Sequence, residues 1–147
     1  MRPFVPIIAN PHLATIASNF WPRYKELSSI AAEEIRFITE PGVAIRVVVQ
    51  RPATFLRGTF VLVHGLEGSS DGGYMQSMAW SALQAGYAVH RVNIRGCGGT
   101  EGWCPTLYHA GLTSDLRTYL ESLRDTGPVT LVGYSLGGNV SLKLAGE

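Results

Sequence analysis

Cysteine is scarce in this chain. Cys97 and Cys104 are the only two, seven positions apart in one stretch. That gives no disulfide framework and no paired spacing for a metal site, so two free thiols are expected, the alternative being one short-loop disulfide. Histidine is equally sparse. His12, His64, His90 and His109 are scattered and form no His-x-x-x-His pair, so neither a metal nor another cofactor is expected. Charge of one sign is also lacking. The formal net charge is +1, and no basic block or acidic tail stands out, so nothing points to nucleic acid or an anionic membrane surface. Long apolar runs are missing too, which leaves no candidate membrane span. Pro3 and Pro6 interrupt the N-terminal segment where a signal peptide needs a helical apolar stretch. The expectation is a cytoplasmic protein whose contact with a membrane, if any, is peripheral.

What the chain does have is apolar material in a regular order. Hydrophobic residues make up 46% of 147 and charged residues 16%, an ordinary balance for one domain with a core. Residues 1–30 read as an irregular lead segment rich in proline and aromatics, with Phe20-Trp21-Pro22 as an aromatic cluster. Glu34–Thr39 and Ala44–Gln50 read as strands joined by a turn at Pro41-Gly42, hence a hairpin. Thr59–His64 is an apolar run that suits a strand buried on both faces. A Gly- and Ser-rich loop, Gly65–Gly73, leads to a helix with Met75, Met78, Ala79, Ala82 and Leu83 on one face, stopped by Gly86.

The pattern then repeats. Tyr87–Asn93 is a strand and Arg95–Pro105 a Gly-rich loop. A helix is expected from Gly111 to Arg124, with Leu112, Leu116, Tyr119, Leu120 and Leu123 on one face. Val129–Val132 is a further strand, and a last helix runs from Leu136 to about Ala145. Alternating strands and helices predict an α/β fold, a mostly parallel sheet covered by helices on both faces. Residues 31–147 would form that domain. Val129–Val132 is expected to be an apolar edge with little sequence left to cover it, and so a site of aggregation.

The most informative segment is Val129-Thr-Leu-Val-Gly133-Tyr134-Ser135-Leu136-Gly137-Gly138-Asn139. It places Gly-x-Ser-x-Gly between an apolar strand and a helix. A serine on so tight a turn is held in a strained backbone conformation that lifts its hydroxyl off the sheet. Side chains at positions 133 and 137 would collide with neighbouring backbone, which accounts for Gly133 and Gly137. The free N–H groups at the start of the helix face the nucleophile. Ser135 is therefore the candidate nucleophile, and the Leu136 N–H one candidate oxyanion donor.

The second donor is expected from the loop after the first buried strand, His64-Gly65-Leu66-Glu67-Gly68. That singles out the Leu66 N–H, with Gly65 and His64 shaping the loop. His64 precedes the serine, whereas the base is expected after it, so His64 is read as a hydrogen-bond partner and not as the base. The Gly-rich turn Arg95–Glu101 reads as structural and pinned by arginine hydrogen bonds. Cys97 has no visible partner to acidify it. Thr113, Ser114 and Asp115 suit a helix start. Asp115 precedes Ser135 and is not expected to be a triad acid. His109 is read as a structural hydrogen bonder.

Taken together, the segments resemble the YheT-like branch of the α/β hydrolases, which includes the ABHD lipases and phospholipases. The matching pieces are His12-Leu-Ala-Thr-Ile16, Asn19-Phe-Trp-Pro-Arg23, His64-Gly-Leu-Glu-Gly-Ser-Ser70, Asn93-Ile-Arg-Gly-Cys-Gly-Gly99, Tyr108-His-Ala-Gly111 and the elbow. The resemblance implies an α/β-hydrolase fold that breaks off after the nucleophile elbow. It also implies a serine hydrolase acting on small-molecule acyl esters through an acyl-enzyme on Ser135, without a cofactor. In that family the triad acid and histidine follow the serine. Here no His or Asp follows Ser135, and Glu147 is too close along the helix to serve. The 147 residues alone are thus expected to be feebly active. The alternatives are a non-catalytic binding module on half a hydrolase scaffold, or an acyltransferase in a longer parent.

Overall fold

A computed structural model describes residues 7–19, 25–54 and 56–147. Five strands form one sheet in the order β1-β2-β4-β3-β5. The strands β1 (Ala32–Glu40) and β2 (Val43–Gln50) are the expected hairpin, turning at Gly42 with φ 77°. β2 continues antiparallel onto β4 (Ala88–Asn93). β3 (Thr59–Val63) lies parallel to β4 on one side and to β5 (Val129–Gly133) on the other. The three apolar runs are thus the parallel part of the sheet, and the hairpin extends one edge.

Helices cover both faces. α2 (Gly73–Gln84) packs Met75, Ala79, Ala82 and Leu83 against Leu62 and Val89 on one face. On the other, α3 (Ser114–Glu121) and α4 (Leu136–Ala145) bring Leu116, Tyr119 and Val140 against Val47, Val61, Val63 and Val92. The connection from β3 through α2 leads to β4, and the connection through α3 crosses back over β3 to β5. The chain therefore reverses direction at β3. Open α/β sheets bind ligands at such a point, beyond the carboxyl ends of the strands. The register aligns those ends, with Val63 beside both Val92 and Gly133.

Several boundaries differ from the sequence expectation. A nine-residue helix, α1 (Pro11–Asn19), stands inside the segment expected to be irregular. Asn10 Oδ1 accepts the His12 and Leu13 N–H groups, and Pro11 occupies the first helical position, where a missing N–H costs nothing. Phe20, Trp21 and Pro22 lie outside the described residues. α3 is shorter than expected at both ends. The Leu112 N–H bonds His109 O in a turn, and a separate 3-10 turn at Arg124–Thr126 follows the helix. α2 ends as its glycine suggests. Gly86, at φ 84°, lets the Tyr87 N–H return to Ala82 O. β5 is the edge strand beyond β3, and its Val129 is 37% exposed.

Candidate active site

The turn between β5 and α4 is as tight as Gly-x-Ser-x-Gly demands. Ser135 sits at φ 51°, ψ −115°, a conformation that side-chain-bearing residues rarely adopt. A Cβ on Gly133 would lie 2.3 Å from Gly137 O, and one on Gly137 would lie 2.4 Å from His64 O and 2.5 Å from Val63 O. Neither position has room for a side chain. Backbone bonds lock the bend, with Tyr134 N–H on Val63 O at 3.0 Å and Gly137 N–H on Tyr134 O at 2.9 Å. Ser135 itself is exposed. Its carbonyl accepts the Asn139 N–H at 3.0 Å, so the Leu136 N–H lies in the first turn of the helix, where no intrahelical acceptor exists.

The loop after β3 comes up against this bend. A Cβ on Gly65 would be 3.2 Å from Ser135 Cβ and 3.9 Å from its Oγ, so the backbone at position 65 approaches the serine closely. Next to it, Leu66 is 66% exposed. Neither the Leu66 nor the Leu136 N–H is engaged in a hydrogen bond among the described residues. Glu67 is strained like Ser135, with φ 51°. Ser135, Gly65, Leu66 and Leu136 thus meet at the carboxyl ends of β3 and β5.

His64 is fully buried beneath this loop. Its Nδ1 lies 2.7 Å from Gly65 O, and its Nε2 lies 3.3 Å from the Ile94 N–H. The amide has to donate, so the proton belongs on Nδ1 and the ring is neutral. Burial pushes its pKa down, against the smaller opposing effect of the Gly65 carbonyl. Both ring nitrogens are committed, which leaves none to take a proton from Ser135.

The other residues singled out by sequence are structural in the fold. Arg95 is buried and grips Asp115 with two nitrogens, at 2.7 and 2.6 Å, while also reaching Glu40 at 2.6 Å and Thr106 at 2.9 Å. The Asp115 hydrogen bonds raise the arginine pKa further, so it stays charged. Thr39 donates to the same carboxylate at 2.6 Å. Asp115 thus faces Arg95, not Ser135. Burial raises the Cys97 thiol above its ordinary pKa, the opposite of what a nucleophile needs. His109 Nδ1 accepts the Gly111 N–H at 3.1 Å and shapes a turn.

Against Leu136, the residue after Ser135, opens a cleft of about 510 Å³, lined also by Leu66, Glu67, Cys97, Leu107 and Tyr108 among others. Two residues without a local sequence signal touch the loop after β3. Tyr74 and Tyr108 both place their hydroxyls on its backbone. Tyr108 stood in a noted motif, but its partner is 41 positions away and no local pattern reveals it. Among the described residues, no group of three His, Cys, Asp or Glu could hold a metal ion. No helix is long and apolar enough to cross a membrane, again among the described residues.

A family model described as alpha/beta hydrolase fold matches residues 58–147, which include both loops and the elbow. The chain belongs to the α/β-hydrolase fold family. Within that family it is a relative of the YheT and ABHD type. This hydrolase-fold chain is 39% identical to YheT of Escherichia coli (strain K12) over 83 residues, 54% of its own length and 24% of the relative's. It is 32% identical to human phospholipase ABHD3 over 94 residues, 62% of its own length and 23% of the relative's. The matched part is therefore about a quarter of these relatives. Among solved structures, the Pyrococcus furiosus esterase Pf2001 superposes with a TM-score of 0.67 at 21% identity, covering 83% of this chain and 51% of that one. At that identity the likeness speaks for the fold alone.

Proposed function

We propose that this chain supplies the nucleophile and both oxyanion donors of a serine hydrolase acting on carboxylic esters. The carrying observation is Ser135, strained at φ 51° between two glycines that admit no side chain, with the Gly65 backbone packed against it. Strain of this kind persists where the surrounding structure enforces it, and it clusters at functional sites. Ser135 Oγ attacks the ester carbonyl, and the Leu66 and Leu136 N–H groups receive the developing oxyanion. The adjacent cleft, with Leu66, Leu107, Tyr108 and Leu136, suits an apolar acyl group. The names of similar proteins, phospholipase ABHD3 and a yeast monoacylglycerol lipase, agree with an ester substrate.

The proton of Ser135 needs an acceptor. No histidine follows Ser135, and both nitrogens of His64 are occupied. In this proposal the base and its orienting carboxylate come from outside residues 1–147. In the ester-hydrolysing protein, a fluorophosphonate probe should label Ser135. Ser135→Ala should abolish labelling and reduce turnover on the order of 10⁴-fold or more. Undiminished turnover in that variant would overturn the nucleophile assignment. Vigorous turnover by the 147 residues alone would overturn the external base. Product analysis with and without added alcohol separates hydrolysis from acyl transfer.

A further inference from the structure

The turn Gly65-Leu66-Glu67, whose first residue packs against Ser135, has three successive amides, and among the described residues only the middle one has no partner. The Gly65 N–H donates to the Tyr74 hydroxyl at 3.2 Å, and the Glu67 N–H donates to the Tyr108 hydroxyl at 2.9 Å. The carbonyl of Gly65 is held as well, by His64 Nδ1 at 2.7 Å and by the Gly68 N–H at 3.1 Å. Leu66 is left in the middle with its N–H unused.

The two tyrosines come from different parts of the fold. Tyr74 lies in the first turn of α2, and its ring packs against Tyr134, the residue before the serine, with centroids 4.6 Å apart. Its approach depends on small neighbours. A Cβ on Gly68 would lie 2.9 Å from the Tyr74 hydroxyl, and one on Gly72 would lie 3.2 Å from the ring. Tyr108 comes from the segment before α3. Its bond to Glu67 holds that residue at φ 51°. A non-glycine residue at positive φ is strained and needs something to keep it there.

We propose that Tyr74 and Tyr108 are positioning residues that clamp the oxyanion turn from both sides, leaving the Leu66 amide as its one donor toward Ser135. Neither tyrosine touches substrate through its hydroxyl in this scheme. Each occupies a competing amide and fixes the peptide plane beside it. The inference rests on the assignment of Ser135 and Leu66 made above.

The test uses Tyr74→Phe and Tyr108→Phe in the ester-hydrolysing protein, since phenylalanine keeps the ring and removes only the acceptor. Each variant should lower kcat about 10- to 100-fold, because a misaimed oxyanion donor acts on the transition state. KM should stay within about twofold, since ground-state binding is untouched. Affinity for phenylethaneboronic acid, which forms a tetrahedral adduct on the serine, should fall in parallel with kcat. Affinity for the matching uncharged amide should hold. Unchanged kcat and boronate affinity in both variants would overturn the clamp, as would a change confined to KM. The two hydroxyls hold different amides, so if one variant folds poorly the other decides alone. Failure of both to fold would also overturn the proposal, since the tyrosines would then be structural. Ser135→Ala is the control. If it binds the boronate as well as the parent does, the nucleophile assignment has failed and not the clamp.

Discussion

Two loops leave the carboxyl ends of adjacent parallel strands, and they look alike in sequence. Residues 64–72 follow β3, and residues 94–105 follow β4. Both are rich in glycine, and a cationic or imidazole side chain stands at or next to the start of each, His64 and Arg95. In the fold they do opposite things. The β4 loop is sealed by its own threonine and by ion pairs to β1 and α3. The buried Thr100 hydroxyl lies within 3.1 Å of the Ile94 and Cys97 carbonyls and accepts the Cys97 N–H, while Arg95 is paired with Asp115 and Glu40. The β3 loop is also held by hydroxyls from α2 and from the segment before α3, and among the described residues the Leu66 amide near the exposed serine has no partner. A donor left free in a fixed place beside a serine is what oxyanion stabilisation requires, whereas an internally bonded turn serves as scaffold. Asn93 joins the two. Its Oδ1 accepts the Ser70 N–H at 2.7 Å, and a Cβ on Gly98 would lie 2.1 Å from that oxygen.

The sharpest way to break this comparison is to empty the sealed loop. Asp115→Ala leaves Arg95, only 5% exposed at its side chain, with Glu40 as its remaining carboxylate. Removing one partner of a buried pair costs about 3–5 kcal/mol. Urea unfolding should show a loss of that size, a large share of the roughly 5–15 kcal/mol that holds a domain. Labelling of Ser135 in the fraction that stays folded should be unchanged, since Asp115 acts on the scaffold. A stable variant that has lost labelling would reverse the roles assigned to the two loops. A smaller effect is expected from Gly68→Ala. Its Cβ would press on the Tyr74 hydroxyl and on His64 Nδ1, 2.9 and 3.1 Å away. Crowding of this kind costs about 1–3 kcal/mol. Here stability and Ser135 labelling should fall together, because the displaced groups hold the turn at Leu66.

Local chemistry was legible in the sequence where it depends on neighbours along the chain. The strands β3, β4 and β5 show as apolar runs, and Gly133, Ser135 and Gly137 show their steric logic within five residues. The turn at Pro41-Gly42 is equally local. Other features depend on pairs far apart. The ion pair of Arg95 with Asp115 spans 20 positions and its contact with Glu40 spans 55, so the sequence suggested an arginine-pinned turn but not its partners. Tyr74 and Tyr108 look like core or surface aromatics until the fold brings their hydroxyls to Gly65 and Glu67. α1 was hidden by Pro11, which reads as a breaker unless Asn10 is recognised as its cap. α3 was overextended because Leu112 and Leu123 keep the helical spacing, although the backbone turns before Ser114.

The finest distinction between the two loops is their response to acid. His64 sits under the β3 loop as a neutral ring whose pKa burial has pushed down. An unfolded chain takes up that proton near pH 6.5. The folded state resists it, so the stability His64 contributes is present above about pH 6.5 and is lost as pH falls toward the lowered folded value. His90 on β4, pushed down to about 4 by burial, acts on the whole fold with the same sign. A global unfolding midpoint therefore blends the two, and a local measurement is needed. Protonated His64 can no longer accept at Nε2, so the Ile94 N–H loses its partner. Amide exchange, corrected for its intrinsic pH dependence, should show Ile94, Gly65 and Gly68 losing protection between pH 7 and pH 5. Cys97 should stay protected, because its N–H is held at 3.1 Å by Thr100, which does not titrate. Equal loss at Cys97 and Gly65 would mean that the loops open as one unit through Asn93, and that the free amide at Leu66 is steadied by the sealed loop as much as by its tyrosines.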